Sequence, residues 1–116
     1  MKQYRVIFHV NDDEEAQVNE AFNNLRNLLD DLGAENVEAE LLANGRAVRA
    51  LCKDQESNAL RIRNLGGQGV RFAACANSLQ HLRIDPADLA AGVEIVPAGV
   101  SELVKKQMEG WAYIHP

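Results

Sequence analysis

The stretch "YRVIFHVNDDEEAQVNEAFNNLRNLLDDLG", residues 4–33, decides the fold class. Tyr4 to Val10 is an apolar, β-branched-rich run that stops at Asn11 and Asp12, the signature of a short buried strand. A helix is expected next. Asp12 and Glu15 have capping-box spacing, Asp13 and Glu14 add negative charge at the positive end of the helix dipole, and Gly33 supplies a stop. Between these signals Val18, Ala21, Phe22, Leu25, Leu28, Leu29 and Leu32 fall on one helical stripe.

Moving outward, the same alternation recurs. "NVEAELLAN" reads as a second strand ending at Asn44-Gly45, followed by a short helical stretch through Ala47, Val48, Leu51 and Cys52. Ser57 to Leu65 reads as helix, broken by Gly66 and Gly67, and "GVRFAAC" as the third strand. Asn77 to Leu82 predicts a helical turn. "DPADLAAG" predicts a helix with Asp85 as cap, Pro86 at its first position and Gly92 as stop. "VEIV" is the fourth strand and "WAYIH" the fifth. Ala98 to Glu109 is a closing helix expected to bury Val100, Leu103, Val104 and Met108 on one face. Strands alternating with helices predict one α/β domain over residues 1–116, a three-layer α/β/α sandwich around a mostly parallel five-stranded sheet.

Composition narrows the function classes. A chain of 116 residues with 47% hydrophobic and 25% charged residues can bury one ordinary core. The formal net charge of −5 argues against gripping phosphate backbones, so no nucleic-acid partner is expected. No run of about 18 apolar residues and no signal-peptide pattern is seen, so the expected setting is the cytoplasm, away from membranes. Two cysteines, Cys52 and Cys75, are too few for a disulfide framework, and a reducing compartment would keep both as thiols.

Cys75 ends the third strand, on the edge where open α/β sheets bind ligands. The free N–H groups of the turn that follows, Ala76, Asn77 and Ser78, can point at a sulfur anion and favour it, and these small residues leave room for a partner molecule. The competing explanation is a packed strand-end cysteine, since free cysteine is among the most buried residue types. Cys52 sits beside Leu51 with no helix start after it, and is read as a structural thiol.

His9 and Asn44 end the first and second strands on the same edge, so His9, Asn44, Asn77 and Ser78 form the candidate pocket, with His9 a potential proton acceptor for the thiol. Strand-end histidines and turn asparagines also commonly satisfy loop backbone. His81 and His115 carry weaker signals. No His or Cys pair has metal-ligand spacing, so no metal is expected. "GGQG", residues 66–69, precedes a strand and lacks the Lys-Ser/Thr of a phosphate loop, so it is a turn. No cofactor is expected.

Several stretches together resemble the DsrE-like family of small intracellular sulfur-metabolism proteins: "VIFHVND", "NLRNLLDDLG", "VEAELLANG", "GVRFAACANSL" and "VPAGVSELVKKQMEGWAYIHP". The resemblance covers essentially the whole chain. It implies a compact α/β/α fold, assembly into trimers or hexamers, and, at the position of Cys75, a thiol that carries sulfane sulfur as a persulfide between donor and acceptor proteins. Trp111 and Tyr113 near the end of the chain would suit such an assembly, because aromatics are favoured interface anchors. The alternative is an oligomeric small-ligand-binding or regulatory module of the same fold whose cysteine does no chemistry.

Overall fold

The computed structural model describes residues 2–116. Five strands, β1 (Tyr4–Val10), β2 (Val37–Ala43), β3 (Arg71–Cys75), β4 (Val93–Val96) and β5 (Ala112–Ile114), form one wholly parallel sheet in the order β4-β3-β2-β1-β5. The helices are α1 (Glu15–Leu32), α2 (Glu56–Gly66), α3 (Ala76–His81) and α4 (Gly99–Met108), with 3-10 turns at Ala34–Asn36, Gly45–Leu51 and Pro86–Asp88. Among the described residues no helix is long and apolar enough to cross a membrane.

The path of the chain explains which face each helix covers. From β1 to β4 the sheet grows one strand at a time, and Val18, Phe22, Leu25, Leu29, Ile62, Leu65 and Leu79 pack with Phe8, Leu41 and Phe72 on one face. From β4 the chain crosses back over the whole sheet to pair β5 with β1. A right-handed crossover in that reversed direction must use the other face. There α4 lies, packing Leu103 with Ile7, Leu42, Ala73, Val96 and Trp111.

Four local expectations need correction. Asp12 does not cap α1: the N-cap residue is Glu14, without a side-chain capping bond, and Asp12 pairs with Arg46 at 3.2 Å. The stretch after β2 is a 3-10 turn, Gly45–Leu51, rather than α-helix. Asp85 does cap, accepting from the Ala87 N–H at 2.9 Å, but the element is a single 3-10 turn. The chain leaves it extended so that Leu89 bridges Cys52, with the Ala90 N–H donating to the Leu51 carbonyl at 2.8 Å.

The fourth correction concerns α4. Its inner face is Gly99, Glu102, Leu103 and Lys106, whereas Val100, Val104 and Met108 are 64%, 55% and 83% exposed. The side chains of α4 meet a sheet surface that carries Glu40 and Arg71 as well as apolar residues, so its polar stripe turns inward. Trp111 is buried in the second core, while Tyr113 on β5 is exposed.

Candidate functional site

β3 and β4 are neighbours whose following helices leave toward opposite faces, α3 toward the α1 side and α4 toward the other. That divergence places a topological switch point, the crevice position of open parallel sheets, at the carboxyl ends of the two strands. Cys75 stands there, its Cα in register with Val96.

Cys75 is the N-cap residue of α3, which places its sulfur beside the first free amides of the helix without a side-chain capping bond. Burial pushes its thiol up, but the Ser78 hydroxyl and the main-chain N–H groups of Gly99, Ser78 and Asn77 outweigh burial and hold it below the ordinary thiol range. The Gly45 N–H donates to Ser78 Oγ at 2.7 Å, which fills the acceptor side of that hydroxyl and leaves its proton for the sulfur. Gly99 comes from a different helix and packs closely: a methyl there would lie 3.0 Å from Asn44 Cβ and 3.3 Å from Cys75 Cβ, so both would have to shift. The thiol is 5% exposed, so the chain alone covers most of it.

Of the expected pocket residues, Ser78 contributes its hydroxyl and its amide, whereas Asn77 contributes an amide while its side chain faces solvent. Asn44 reaches the crevice through Gly99. His9 does not reach the sulfur. β2 lies between β1 and β3, and two strand spacings of about 4.8 Å separate them. Instead His9 Nε2–H donates to Asn44 Oδ1 at 2.8 Å, and the Tyr113 hydroxyl donates to His9 Nδ1 at 2.6 Å. Burial lowers the pKa of His9, the Asn44 bond raises it and His115, with ring centroids 5.2 Å apart, lowers it again, with a net fall. His9 is therefore a neutral prop for Asn44 at neutral pH.

Sequence reasoning missed Gly99 and Tyr113. Gly99 carried a legible signal, a glycine at the start of a helix just beyond a strand on the ligand edge. Tyr113 carried none, because its partner lies 104 residues away in the chain.

Cys52 provides the contrast. Its Sγ–H donates to the Val48 carbonyl at 3.7 Å, and burial, with Asp54 and Asp88 adding to it, pushes its thiol up. It borders an open cleft of about 810 Å³ that also touches Asp13, Arg49, Lys53 and Asp88, away from Cys75. Among the described residues no group of three or more His, Cys, Asp or Glu side chains converges as a metal site.

A model of the DsrE/DsrF-like family matches residues 5–116. The chain belongs to that family. DsrE-like proteins are linked to sulfur metabolism. A solved structure of a protein of unknown function, MTH1491 from Methanobacterium thermoautotrophicum, is 44% identical, with TM-score 0.91 over 97% of this chain and 99% of that one. The ychN protein of E. coli shares the DsrE-type fold at 16% identity and TM-score 0.80, with both chains fully covered. BT1422 from Bacteroides thetaiotaomicron, of unknown function, matches at 14% identity and TM-score 0.77 over 97% of this chain and 94% of that one. No curated protein matches.

Proposed function

We propose that this DsrE-like protein accepts and passes on sulfane sulfur as a persulfide on Cys75. One arrangement carries the reading: a buried thiol ends β3 at the start of α3 and against Gly99 of α4, where the Ser78 hydroxyl and amides from two helix starts favour its anion. In the forward step the Cys75 thiolate attacks the terminal sulfur of a donor persulfide or polysulfide. The donor S–S bond breaks, the donor leaves as a thiolate, and Cys75 keeps the new S–S bond. Both electrons of the broken bond leave with the donor sulfur, so no external oxidant is needed. An acceptor thiolate reverses the step. The same amides that favour the Cys75 anion favour the persulfide anion, while Ser78 supplies a proton-bearing partner.

The remaining parts of the proposal are a cytoplasmic setting, donor and acceptor proteins as partners, and a homo-oligomer, trimer or hexamer. The outward row of Val100, Val104 and Met108 on α4 supports the oligomer, because a second copy would cover it. The 5% exposure of Cys75 favours one competitor, a ligand-binding module whose thiol does no chemistry. Polysulfide treatment followed by intact mass separates the two. Gain of one sulfur on wild type and none on Cys75→Ser is expected; absence of any adduct on native wild-type protein overturns the relay reading.

A further inference from the structure

At the centre of the sheet, on the face under α4, β2 carries Glu40, which is 0% exposed. Neither of its carboxylate oxygens has a hydrogen-bond donor. The two cations near it are shared with other partners. β1 offers the apolar Ile7 in register. From β3, Arg71 Nη1 lies 3.3 Å from Glu40 Oε1 without hydrogen-bond alignment, while its Nε and Nη2 grip Glu94 of β4 at 3.2 and 2.7 Å. From α4, Lys106 Nζ is 3.9 Å away and sits 4.6 Å over the Trp111 ring. The remaining neighbour is the Glu102 carboxyl of α4, which can hydrogen-bond to Glu40 only when one of the two carries a proton. Burial and the facing carboxyl both favour keeping one proton on the pair, and only a protonated carboxyl can donate across the contact.

We propose that Glu40 and Glu102 share one proton between β2 and α4, and that this proton seats the first turn of α4, making Glu40 a positioning residue for the crevice at Cys75. Glu102 lies one helical turn from Gly99, whose N–H favours the Cys75 anion. Burial first, then Glu102, raises the Glu40 pKa to about 8, against the lowering pull of Arg71 and Lys106. Ionisation above that point sets two negative charges facing each other across the seat, so the α4 turn lifts and takes the Gly99 amide with it. The link to Cys75 reactivity rests on the function proposed above; the shared proton does not.

Trp111, the one tryptophan, follows α4 directly and lies under Lys106, so its emission reports the seat. Titrating full-length protein from pH 6 to 9, wild type and Cys75→Ser are expected to show a Trp111 transition centred near pH 8, with an infrared band of a protonated carboxyl at pH 7. Glu40→Gln keeps a donor toward Glu102 and is expected to lose both. The alkylation rate of Cys75 against pH is expected to follow a single ionisation in Glu40→Gln and to show a second step in wild type, coincident with the Trp111 transition. If Glu40→Gln does not fold, Glu102→Gln serves, with the transition expected to move down by one pH unit or more. Flat Trp111 emission in wild type, no protonated carboxyl at pH 7, an unmoved midpoint in Glu102→Gln, or superimposable Cys75 profiles would overturn the proposal. A Trp111 transition in a protein that takes up no sulfur would leave the shared proton standing and sink the relay reading instead.

Discussion

Burial alone would push Cys75 up, as it does Cys52, yet the two thiols move in opposite directions because only one of them faces free amides. Ser78 is the side chain that can be removed without touching the backbone. A hydrogen bond to a charged group is worth about 1.5–3 kcal/mol, so Ser78→Ala is expected to raise the Cys75 pKa and slow its alkylation at pH 7 by about tenfold or more. Cys52 should be unchanged; equal slowing of both cysteines in a site-resolved mass measurement would assign the effect to altered folding. Cys52→Ser should leave polysulfide uptake intact, and loss of uptake in that folded variant would show that both thiols take part. At Gly99 the constraint is steric: Gly99→Ala forces a methyl against Asn44 and Cys75, and is expected to cost about 1–3 kcal/mol in urea unfolding.

At the scale of elements, what could be read in advance was whatever repeats locally. α1 declared itself because five of its seven stripe residues, Val18, Ala21, Phe22, Leu25 and Leu29, are buried at helical spacing, and Leu28 and Leu32 pack at the margin. The strands followed from their apolar runs. α4 misled because its regular Val100, Val104, Met108 row is apolar yet points outward, while the chain crossover and the Gly99 seat fix its inner face. Glu40 was hidden inside "VEAELLAN", where a glutamate in a strand reads as solvent-facing until the covering helix is known. The site was half legible: Cys75 and the amides after it come from one continuous stretch, whereas Gly99 and the Tyr113–His9–Asn44 chain come together only through the order of the strands. The outward row makes its own prediction. Met108→Glu and Val104→Lys alter exposed positions, so each is expected to change subunit stability by no more than about 0.5 kcal/mol. Light scattering should show the wild type as an oligomer and Val104→Lys shifted toward monomer; a monomeric wild type at micromolar concentration ends the oligomer claim.

For the whole molecule, pH acts through groups with opposite signs. Glu40 holds its proton to about pH 8 when folded and to about 4.5 when unfolded, so between these values the folded state binds more protons and stability falls as pH rises. His9 works the other way: its lowered pKa makes the unfolded state the better proton binder below 6.5, so its contribution grows as pH rises to that point. From pH 6.5 to 8 the Glu40 contribution therefore stands free of the histidine, and the Cys75→Ser background removes the acidified thiol from the same window. Urea midpoints are expected to decline across that window, and Glu40→Gln to flatten the decline. An unchanged slope in the variant would mean that Glu40 is already ionised in the folded protein.

Gly99 also sets a clock. A chain made from its N-terminus delivers Cys75 24 residues before Gly99, a delay of about 1–5 s at ordinary rates of synthesis. During that interval β3 can exist without α4, and the cysteine lacks one of the amides that make it acidic. A ribosome-bound chain held where Cys75 has left the exit tunnel and Gly99 has not is therefore expected to carry a less acidic thiol than the folded protein.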